Sequence, residues 1–418
     1  MNNLVLLTSS FPYEGGEQFL ESEIQYWENT KFDNVYIMPY QAKGNSRLYQ
    51  KNIKLIKPIY MKSKANYVLS SLFSPIYHKE LLSIKENSHF KHWPLNIKSA
   101  LKTTALTLRI KDSLVHSLKH VNGNITVYSY WNDASFYAAC ILKKKGIIKH
   151  IISRAHGGDL YTERRTNSYM PLKKQFASDS DYDKVFLLSE NALNYYSNMY
   201  GAEFQSLHVS KLGVDIPSEE FDTKSMNGKV KILSLSYCVT VKQIDKIMDA
   251  IEAYAKINSH LIVEWIHIGA GPLYDVLKAR SDDLTSQYYN LKIDFVGHLV
   301  NKDVKVILEK NHFDVFINTS KSEGIPVSIM EAMSYGVPAI APDIGEISDL
   351  VNESNGYLLP NGFSIDEIID GINTILSKEK KQAYRTSAKS WVEKHFNSSV
   401  NYPLFVIQVE SVVGLYDS

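Results

Sequence analysis

The sequence predicts an α/β protein with two doubly wound parallel sheets, one in each half of the chain. Short apolar segments alternate with helical patterns, as expected for parallel strands joined by crossover helices. The alternation stops at the polar stretch 218–228 and restarts at Val230, which indicates a linker. The 418 residues also exceed one ordinary hydrophobic core. We therefore expect domains at 1–217 and 228–395, facing each other across a cleft, with 396–418 returning to the N-terminal domain.

In the N-terminal half, apolar runs of strand length are each followed by turn residues and a helical pattern. The predicted strands are Val5–Thr8, Val35–Met38, Ile125–Ser129, His150–Arg154 and Val185–Ser189. The predicted helices are Glu17–Trp27, Ala134–Lys145 and Asn191–Tyr200.

The C-terminal half repeats the pattern. Its predicted strands are Val230–Leu235, Leu261–Ile268, Lys292–Val296, Phe313–Asn318, Pro338–Ala341 and Gly356–Leu359. Helical patterns separate them, and helices over Ile365–Leu376 and Gln382–His395 follow the last strand.

Composition favours a soluble or peripheral protein of a reducing cytoplasm. Hydrophobic residues make up 44% of the chain and charged residues 22%, as in globular domains. Cys140 and Cys238 are too few for a disulfide framework and lack metal-ligand spacing. The N-terminus has no basic leader, and no apolar run reaches the ~20 residues that span a bilayer.

Residues 43–111 form a basic segment with fourteen Lys or Arg residues and only two acidic ones, although the whole chain has a net charge of +1. Tyrosine, phenylalanine and tryptophan residues are interleaved with these cations. Such a segment is suited to an anionic membrane surface. The alternative is a solvated insertion whose aromatic residues enter the core. Nucleic-acid binding fits the charge as well, but no recognisable nucleic-acid module accompanies it, so no nucleic-acid partner is expected.

The most informative motif pairs Glu323 with Glu331. An apolar strand leads into a polar turn carrying Glu323, and Pro326 then marks the first turn of a helix that carries Glu331. The N–H groups near Gly324 and Ile325 lie at that helix N-terminus, where a phosphate is favoured. Phosphate donors flanked by two carboxylates suit a sugar nucleotide, whose hydroxyls can donate to the carboxylates.

The stretch from Phe313 to Pro338 resembles the donor-site signature of retaining GT-B glycosyltransferases of family 4, especially bacterial members that build surface polysaccharides. Further matching pieces occur in the family's order: Phe11–Glu17, Ser153–Tyr161, Leu212–Asp215, Ile268–Leu273 and Phe295–His298. The resemblance covers most of the chain outside 43–111. It implies two Rossmann-like domains and transfer of a hexose-type sugar from a nucleoside-diphosphate sugar to a lipid-linked saccharide acceptor, in O-antigen, capsule or exopolysaccharide synthesis.

For the donor, the resemblance implies that Glu323 binds hydroxyls of the sugar and Glu331 binds the ribose. The structural alternative makes Glu331 a helix surface residue and Glu323 a capping carboxylate, and the context of the pair favours the donor site. Gly15 and Gly16 let a backbone turn approach the diphosphate because they lack a Cβ atom. A generic strand-to-helix turn is the alternative for the two glycines.

His156 follows a predicted strand, so it lies at the carboxyl end of a sheet, where ligands bind such folds. The resemblance places it beside the reacting anomeric carbon, where it would orient a donor hydroxyl. Asp159 is expected either to tune His156 or to cap the next segment.

Lys242 is the expected cation for the diphosphate. Family members usually have an arginine where this chain has Tyr237, and tyrosine cannot supply a bidentate guanidinium. The leaving group would then depend on Lys242 and on the helix N-terminus near Gly324. Arg154 is a candidate substitute for the missing cation.

No metal or cofactor is expected, because the resemblance assigns the leaving diphosphate to a helix dipole and basic side chains. Asp179–Asp183 contains Asp-x-Asp, but it directly precedes a strand and fits a solvated acidic loop. Two alternative functions remain: a sugar-nucleotide epimerase with the same fold, and a non-catalytic sugar-nucleotide-binding subunit of a polysaccharide assembly complex. A dinucleotide oxidoreductase is disfavoured because the full Gly-x-Gly-x-x-Gly pattern is missing.

Overall fold

The computed structural model describes residues 1–13, 17, 19–179, 181–218 and 228–416. It divides the chain into two compact units. The N-terminal unit contains Met1–Lys211 and Val400–Ser418, and the C-terminal unit contains Leu212–Ser399. Gly15 and Gly16 lie outside the described residues.

The N-terminal unit has a seven-stranded parallel sheet in the order β3-β2-β1-β4-β5-β6-β7. Its strands are β1 (Asn2–Thr8), β2 (Asn34–Pro39), β3 (Lys54–Leu55), β4 (Asn124–Ser129), β5 (His150–Arg154), β6 (Lys184–Leu187) and β7 (Leu207–Val209).

Helices cover the sheet between these strands. They are α1 (Leu20–Ile24), α2 (Lys64–Leu72), α3 (Pro75–Asn87), α4 (Trp93–Ser117), α5 (Ala134–Lys144), α6 (Gly157–Leu160), α7 (Lys173–Ala177) and α8 (Glu190–Tyr200). Helices α2, α3 and most of α4 come from the basic segment.

Both faces of the N-terminal sheet are buried, because alternate side chains of β1 enter separate hydrophobic cores. Val5 and Leu7 pack on one face and Leu4 and Leu6 on the other, all fully buried. A strand covered on both faces has a continuous apolar run instead of an alternating one. This explains why the sequence of β1 already indicated a buried strand.

The C-terminal unit has a six-stranded parallel sheet in the order β10-β9-β8-β11-β12-β13. Its strands are β8 (Lys229–Leu235), β9 (Ile262–Ile268), β10 (Leu291–Gly297), β11 (Val315–Ile317), β12 (Ala339–Pro342) and β13 (Gly356–Leu359). Its helices are α9 (Ile244–Ile257), α10 (Tyr274–Gln287), α11 (Asn301–Lys310), α12 (Val327–Ser334), α13 (Ile365–Leu376) and α14 (Lys381–His395).

The final helix, α15 (Ser398–Val412), brings the end of the chain back to the N-terminal sheet. Phe405, Val406 and Val409 of α15 are buried in the same core as Leu4 and Leu6. The sequence analysis placed 212–217 in the N-terminal domain, whereas the structure places it in the C-terminal unit. There Val214 bridges to Asn397 in parallel.

The fold prediction is confirmed: the chain forms two doubly wound parallel α/β domains. In each sheet the strand order reverses at one switch point, between β1 and β4 in the first unit and between β8 and β11 in the second. Ligands of such sheets bind outside the carboxyl ends of the strands at the switch point. These edges are therefore where candidate site residues should meet.

No helix among the described residues has both the length and the apolar character needed to cross a bilayer.

Candidate active site

The C-terminal unit brings Lys242 and Glu323 together at its switch point. Lys242 lies in the connection between β8 and α9, and Glu323 in the connection between β11 and α12. Because β8 and β11 are neighbouring strands, their carboxyl ends place these two connections side by side. The Lys242 Nζ atom donates to Glu323 Oε1 at 2.5 Å.

Glu323 is buried, and its carboxylate accepts hydrogen bonds from neighbouring side chains. Asn318 Nδ2 donates to the same Oε1 atom at 3.2 Å. Burial alone would raise the pKa of Glu323, but the Lys242 ammonium and hydrogen bonds from neighbouring polar groups hold it below its ordinary value. Glu323 is therefore ionised near neutral pH and acts only as a hydrogen-bond acceptor.

Gly345 supports the loop that carries Glu323. Its φ angle is +57°, and a Cβ atom at this position would lie 2.0 Å from the Glu323 carbonyl oxygen. Any larger residue must push the two segments apart, besides occupying a left-handed conformation that favours glycine. The glycine thus permits a close approach that fixes the backbone of Glu323.

The backbone between Glu323 and α12 offers donors to an anion. Within the described part of the chain, the N–H groups of Gly324 and Ile325 donate to no protein acceptor. Pro326 is the N-cap residue of α12, one position before the helix begins. Free N–H groups beside a helix N-terminus favour negative charge. Next to the Lys242 ammonium, this arrangement suits a phosphate group.

Glu331 is the fifth residue of α12 and is buried, with 9% of its surface exposed. Asn301 Nδ2 donates to its Oε1 atom at 2.8 Å. Burial raises the pKa of Glu331, although Asn301 and the nearby Lys305 ammonium oppose the shift. Lys305 itself pairs with Asp215 at 2.6 Å. A buried carboxylate with one short-range partner retains acceptor capacity for a ligand hydroxyl.

Tyr237 lies just beyond β8 and is 59% exposed. Its ring brings no positive charge to the switch point. Lys242 is thus the cation that pairs with Glu323, and the usual family arginine has no equivalent in Tyr237.

In the N-terminal unit, His156 lies two residues beyond the end of β5, within an aromatic cluster. Its ring stacks on Tyr130 with centroids 4.8 Å apart, and Trp131 and Phe19 lie at 4.9 and 5.8 Å. Burial, with a contribution from the charge of Arg154, lowers the pKa of His156 to about 3. Its buried Nε2 atom has no hydrogen-bond partner among the described residues. A neutral ring with a free nitrogen can bind a ligand hydroxyl.

Asp159 and Lys173 hold the backbone around His156. Asp159 accepts hydrogen bonds from the N–H groups of His156 and Asn132, each at 2.6 Å. The Lys173 ammonium donates to the carbonyl oxygens of Asn132 and Asp159 at 2.7 and 2.6 Å. Burial raises the pKa of Asp159 to about 6, although Lys173 opposes this shift. Asp159 therefore has the geometry of a capping group for the segment after His156.

Arg154 is completely buried. It donates to Glu23 at 2.7 Å and to Ser210 at 3.3 Å, and its guanidinium lies 3.9 Å from the Phe405 ring centroid. Its charge is thus compensated inside the N-terminal unit. This environment favours a structural role over the substitute cation considered from the sequence.

Glu17 is a feature that the sequence analysis did not identify. Its carboxylate accepts hydrogen bonds from the backbone N–H groups of Ser9, Ser10 and Phe11 at 2.7–2.8 Å, and from the Trp131 indole at 2.7 Å. Glu17 thereby organises the loop after β1 and links it to the aromatic cluster of His156. The only sequence signal was its place directly after the two glycines.

Within the described residues, no cluster of His, Cys, Asp and Glu side chains forms a metal site. In the acidic loop 179–183, Asp179 and Asp181 pair with Lys144 at 3.0 and 2.5 Å.

The fold is that of GT-B glycosyltransferases. The chain superposes on the lipopolysaccharide outer core galactosyltransferase WaaB with a TM-score of 0.67 and 17% identity, covering 99% of each chain. Anabaena HepE in complex with UDP and glucose gives a TM-score of 0.63 at 14% identity, covering 98% of this chain and 99% of that one.

A family model matches most of the C-terminal unit. Residues 215–391 match the family model described as glycosyl transferases group 1. The matched range includes Lys242, Glu323 and Glu331.

Several curated relatives are named as glycosyltransferases of polysaccharide synthesis. The putative colanic acid biosynthesis glycosyltransferase WcaL of Escherichia coli K12 is 25% identical over 232 residues, which is 53% of this chain and 54% of that protein. The O-antigen biosynthesis glycosyltransferase WbnH of Escherichia coli is 28% identical over 133 residues, 31% of this chain and 35% of that protein. The chain thus matches only about a third to a half of the length of these relatives.

Proposed function

We propose that this chain is a retaining glycosyltransferase of family 4. It transfers a hexose-type sugar from a nucleoside-diphosphate sugar to a saccharide acceptor, carried on a lipid, during synthesis of a bacterial surface polysaccharide. The observation that carries this proposal is the Lys242–Glu323 pair beside the free N–H groups of Gly324 and Ile325. A cation, helix-terminal donors and a carboxylate are the groups that a sugar diphosphate requires.

In this proposal the diphosphate binds at the N-terminus of α12 and takes Lys242 as its counter-ion. Glu323 exchanges its bond to Lys242 for hydroxyls of the donor sugar, and Glu331 accepts from the ribose. The hydrogen-bond donors that stabilise the developing charge on the leaving diphosphate are already in position. The protein therefore reorganises little during the reaction.

The proposed reaction proceeds on one face of the sugar. The bond from the anomeric carbon to the diphosphate oxygen breaks, and the acceptor hydroxyl attacks the same face through an oxocarbenium-like state. The hydroxyl proton passes to the departing phosphate oxygen, and configuration is retained. His156, with its neutral ring and free Nε2 atom, orients a donor hydroxyl beside this centre. No metal or cofactor is assigned to any step.

Support for polysaccharide synthesis comes from the names of WcaL and WbnH, which belong to colanic acid and O-antigen synthesis. A cytoplasmic location at the inner face of the membrane follows from a lipid-linked acceptor, with the basic segment 43–111 facing anionic lipid.

The test is a panel of sugar nucleotides, beginning with UDP-sugars because HepE was solved with UDP and glucose. Binding is measured first, then transfer to a membrane extract, and finally the anomeric configuration of the product. Transfer with retention is the expected result. An isomerised sugar from donor alone would indicate an epimerase instead, and binding without transfer to any extract would indicate a binding subunit.

A further inference from the structure

The basic segment builds a cavity in the N-terminal unit that no role described above uses. The cavity has a volume of about 680 Å³ and lies beyond the carboxyl end of β2. Five cations line it, and its lining contains no acidic residue among those described. They are Lys43, Lys57, Lys64, Lys102 and Arg109. We call this space the cationic cavity.

The five cations keep their charge available to a ligand. In the part of the chain that the structure describes, no carboxylate lies within 4.0 Å of any of them. The Arg109 guanidinium stacks on Tyr60 at 3.8 Å from the ring centroid, and the Tyr60 hydroxyl donates to the Tyr40 carbonyl. Arg109 is therefore held at the wall, whereas the four lysines are exposed. Concentrated, uncompensated positive charge in a concave site attracts a multiply charged anion.

Apolar side chains continue from the cationic cavity onto the surface. Val68 of α2 lines the cavity and is 39% exposed, and Leu72, one helical turn further, is 41% exposed. Leu69 and Phe73 beside them are 58% and 78% exposed. A rim of mainly aliphatic residues next to a cluster of cations suits a phosphate group attached to a hydrocarbon chain. A free polar anion would gain nothing from this rim.

A second, polar cavity of about 400 Å³ adjoins the first, since Leu106 of α4 lines both. Asn96, Thr103, Asp133 and Asp159 contribute polar groups to its lining. These side chains can bind sugar hydroxyls, and Asp159 also caps the backbone of His156. The polar cavity thus shares Leu106 with the cationic cavity and also contains Asp159, which caps the backbone of His156.

The sheet sets the distance between the cationic cavity and His156. The cavity follows β2 and His156 follows β5, with β1 and β4 between them in the sheet order. Three strand spacings correspond to about 14 Å. This span leaves room for sugar residues between an anchored phosphate and a hydroxyl that reacts near His156.

We infer that the cationic cavity binds the phosphate head group of a lipid-linked acceptor, with the lipid chain leaving over α2 and the saccharide in the polar cavity. This inference rests on the proposed function for the identity of the acceptor. The binding itself can be measured without donor or transfer.

The experiment measures binding of the full chain to phosphatidylcholine vesicles that contain farnesyl diphosphate. Vesicles with phosphatidylglycerol at equal surface charge, and inorganic diphosphate as competitor, separate the possible sources of attraction. The double variant Lys64→Glu/Lys102→Glu changes the cavity, and Lys79→Glu/Lys98→Glu changes two exposed lysines of the same segment outside its lining by the same charge.

We expect preference for farnesyl diphosphate over phosphatidylglycerol, and a loss of at least about tenfold in the cavity variant but not in the matched variant. Equal losses in both variants, or equal binding to both anionic vesicles, would overturn the inference in favour of diffuse surface attraction. Inorganic diphosphate binding as tightly as farnesyl diphosphate would overturn the lipid assignment.

Sugar-nucleotide binding, measured in parallel on the cavity variant, separates this result from the proposed function. Loss of lipid binding with nucleotide binding intact supports the inference. Failure of every nucleotide to bind the wild-type chain would instead contradict the proposed function.

Discussion

The two units differ in how their candidate sites are assembled. In the C-terminal unit, Lys242, Glu323 and Glu331 lie in or beside short connections at one switch point, and a contiguous motif carries two of them. In the N-terminal unit, His156 depends on Phe19, Trp131 and a buried lysine distant in sequence. The residues that bind a common group such as a diphosphate can thus come mainly from one continuous stretch of sequence. The surroundings of His156 are instead supplied by several elements of the N-terminal unit.

The largest expected effect is that of Glu323→Ala. We expect transfer to fall by about 10²-fold or more, because the donor sugar loses its carboxylate and Lys242 loses its partner. Steady-state transfer with the true donor measures this, with circular dichroism to verify folding. The exposed Glu353→Ala variant is the matched control. Turnover of Glu323→Ala at the wild-type rate would remove Glu323 from the site.

His156→Ala tests the N-terminal side of the comparison. We expect transfer to fall by roughly 10- to 100-fold through lost orientation of the donor hydroxyl. The exposed His120→Ala is the control.

The pH profile separates two roles for His156. Because the pKa of His156 is lowered to about 3, its ring stays neutral at every pH above that value. Any step in the wild-type pH–rate profile between pH 5 and 8 should therefore remain in the profile of His156→Ala. A step that disappears in the variant would contradict the neutral-ring role.

Gly345→Ala tests how strictly the C-terminal site is positioned. The added Cβ meets the Glu323 carbonyl oxygen, and the positive φ angle adds strain of about 1–3 kcal/mol. We expect lower thermal stability and about tenfold weaker transfer. Gly362→Ala, which also has positive φ but has open space around the new Cβ, controls for strain alone. Equal activity of the two variants would show that the contact with Glu323 is unimportant.

Tyr237→Arg tests the missing cation. A charge-assisted hydrogen bond at an exposed position contributes about 1.5 kcal/mol, the low end of its range, so we expect a gain in donor affinity or rate of about tenfold. Tyr237→Gln, which adds no charge, should not reproduce the gain. A loss of activity in Tyr237→Arg would indicate that the tyrosine itself contacts the donor.

The smallest effect concerns stability without any ligand. The folded-state pKa of Glu323 lies below its ordinary value of 4.5, so the ionised form stabilises the fold. This contribution is present above the ordinary pKa and is lost as pH falls through the lowered folded-state value. The stability advantage of wild type over Glu323→Gln should therefore shrink on acidification below pH ~4.5. An advantage that is constant with pH would contradict the ionised pair with Lys242.

Most strands could be predicted from the sequence, because a strand that is buried on both faces of its sheet has a continuous run of apolar residues. His150–Arg154 and Gly356–Leu359 have the same bounds in the structure as in the sequence analysis. The helices of the basic segment were not predicted. Buried polar residues of α4 hide its period, since Thr104 and Thr107 satisfy their hydroxyls on the backbone of their own helix at 2.8 and 2.9 Å.

For the site, the sequence predicted residue types but not their local partners. Lys173 and Glu17 are buried charges whose partners are fixed by the fold, such as Asn132, 41 positions from Lys173. The sequence around either residue does not predict such a contact. The glycines at 15 and 16, outside the described residues, stay a prediction.

The return of α15 has a consequence for dissecting the molecule. Because Phe405, Val406 and Val409 complete a core with β1, the N-terminal unit is discontinuous in sequence, and the C-terminal unit is an insertion between residues 211 and 400. A fragment ending at Lys211 would expose one apolar face of its sheet to water. The C-terminal unit can be excised as one continuous piece, whereas its partner can be produced alone only if the two chain ends at 211 and 400 are joined.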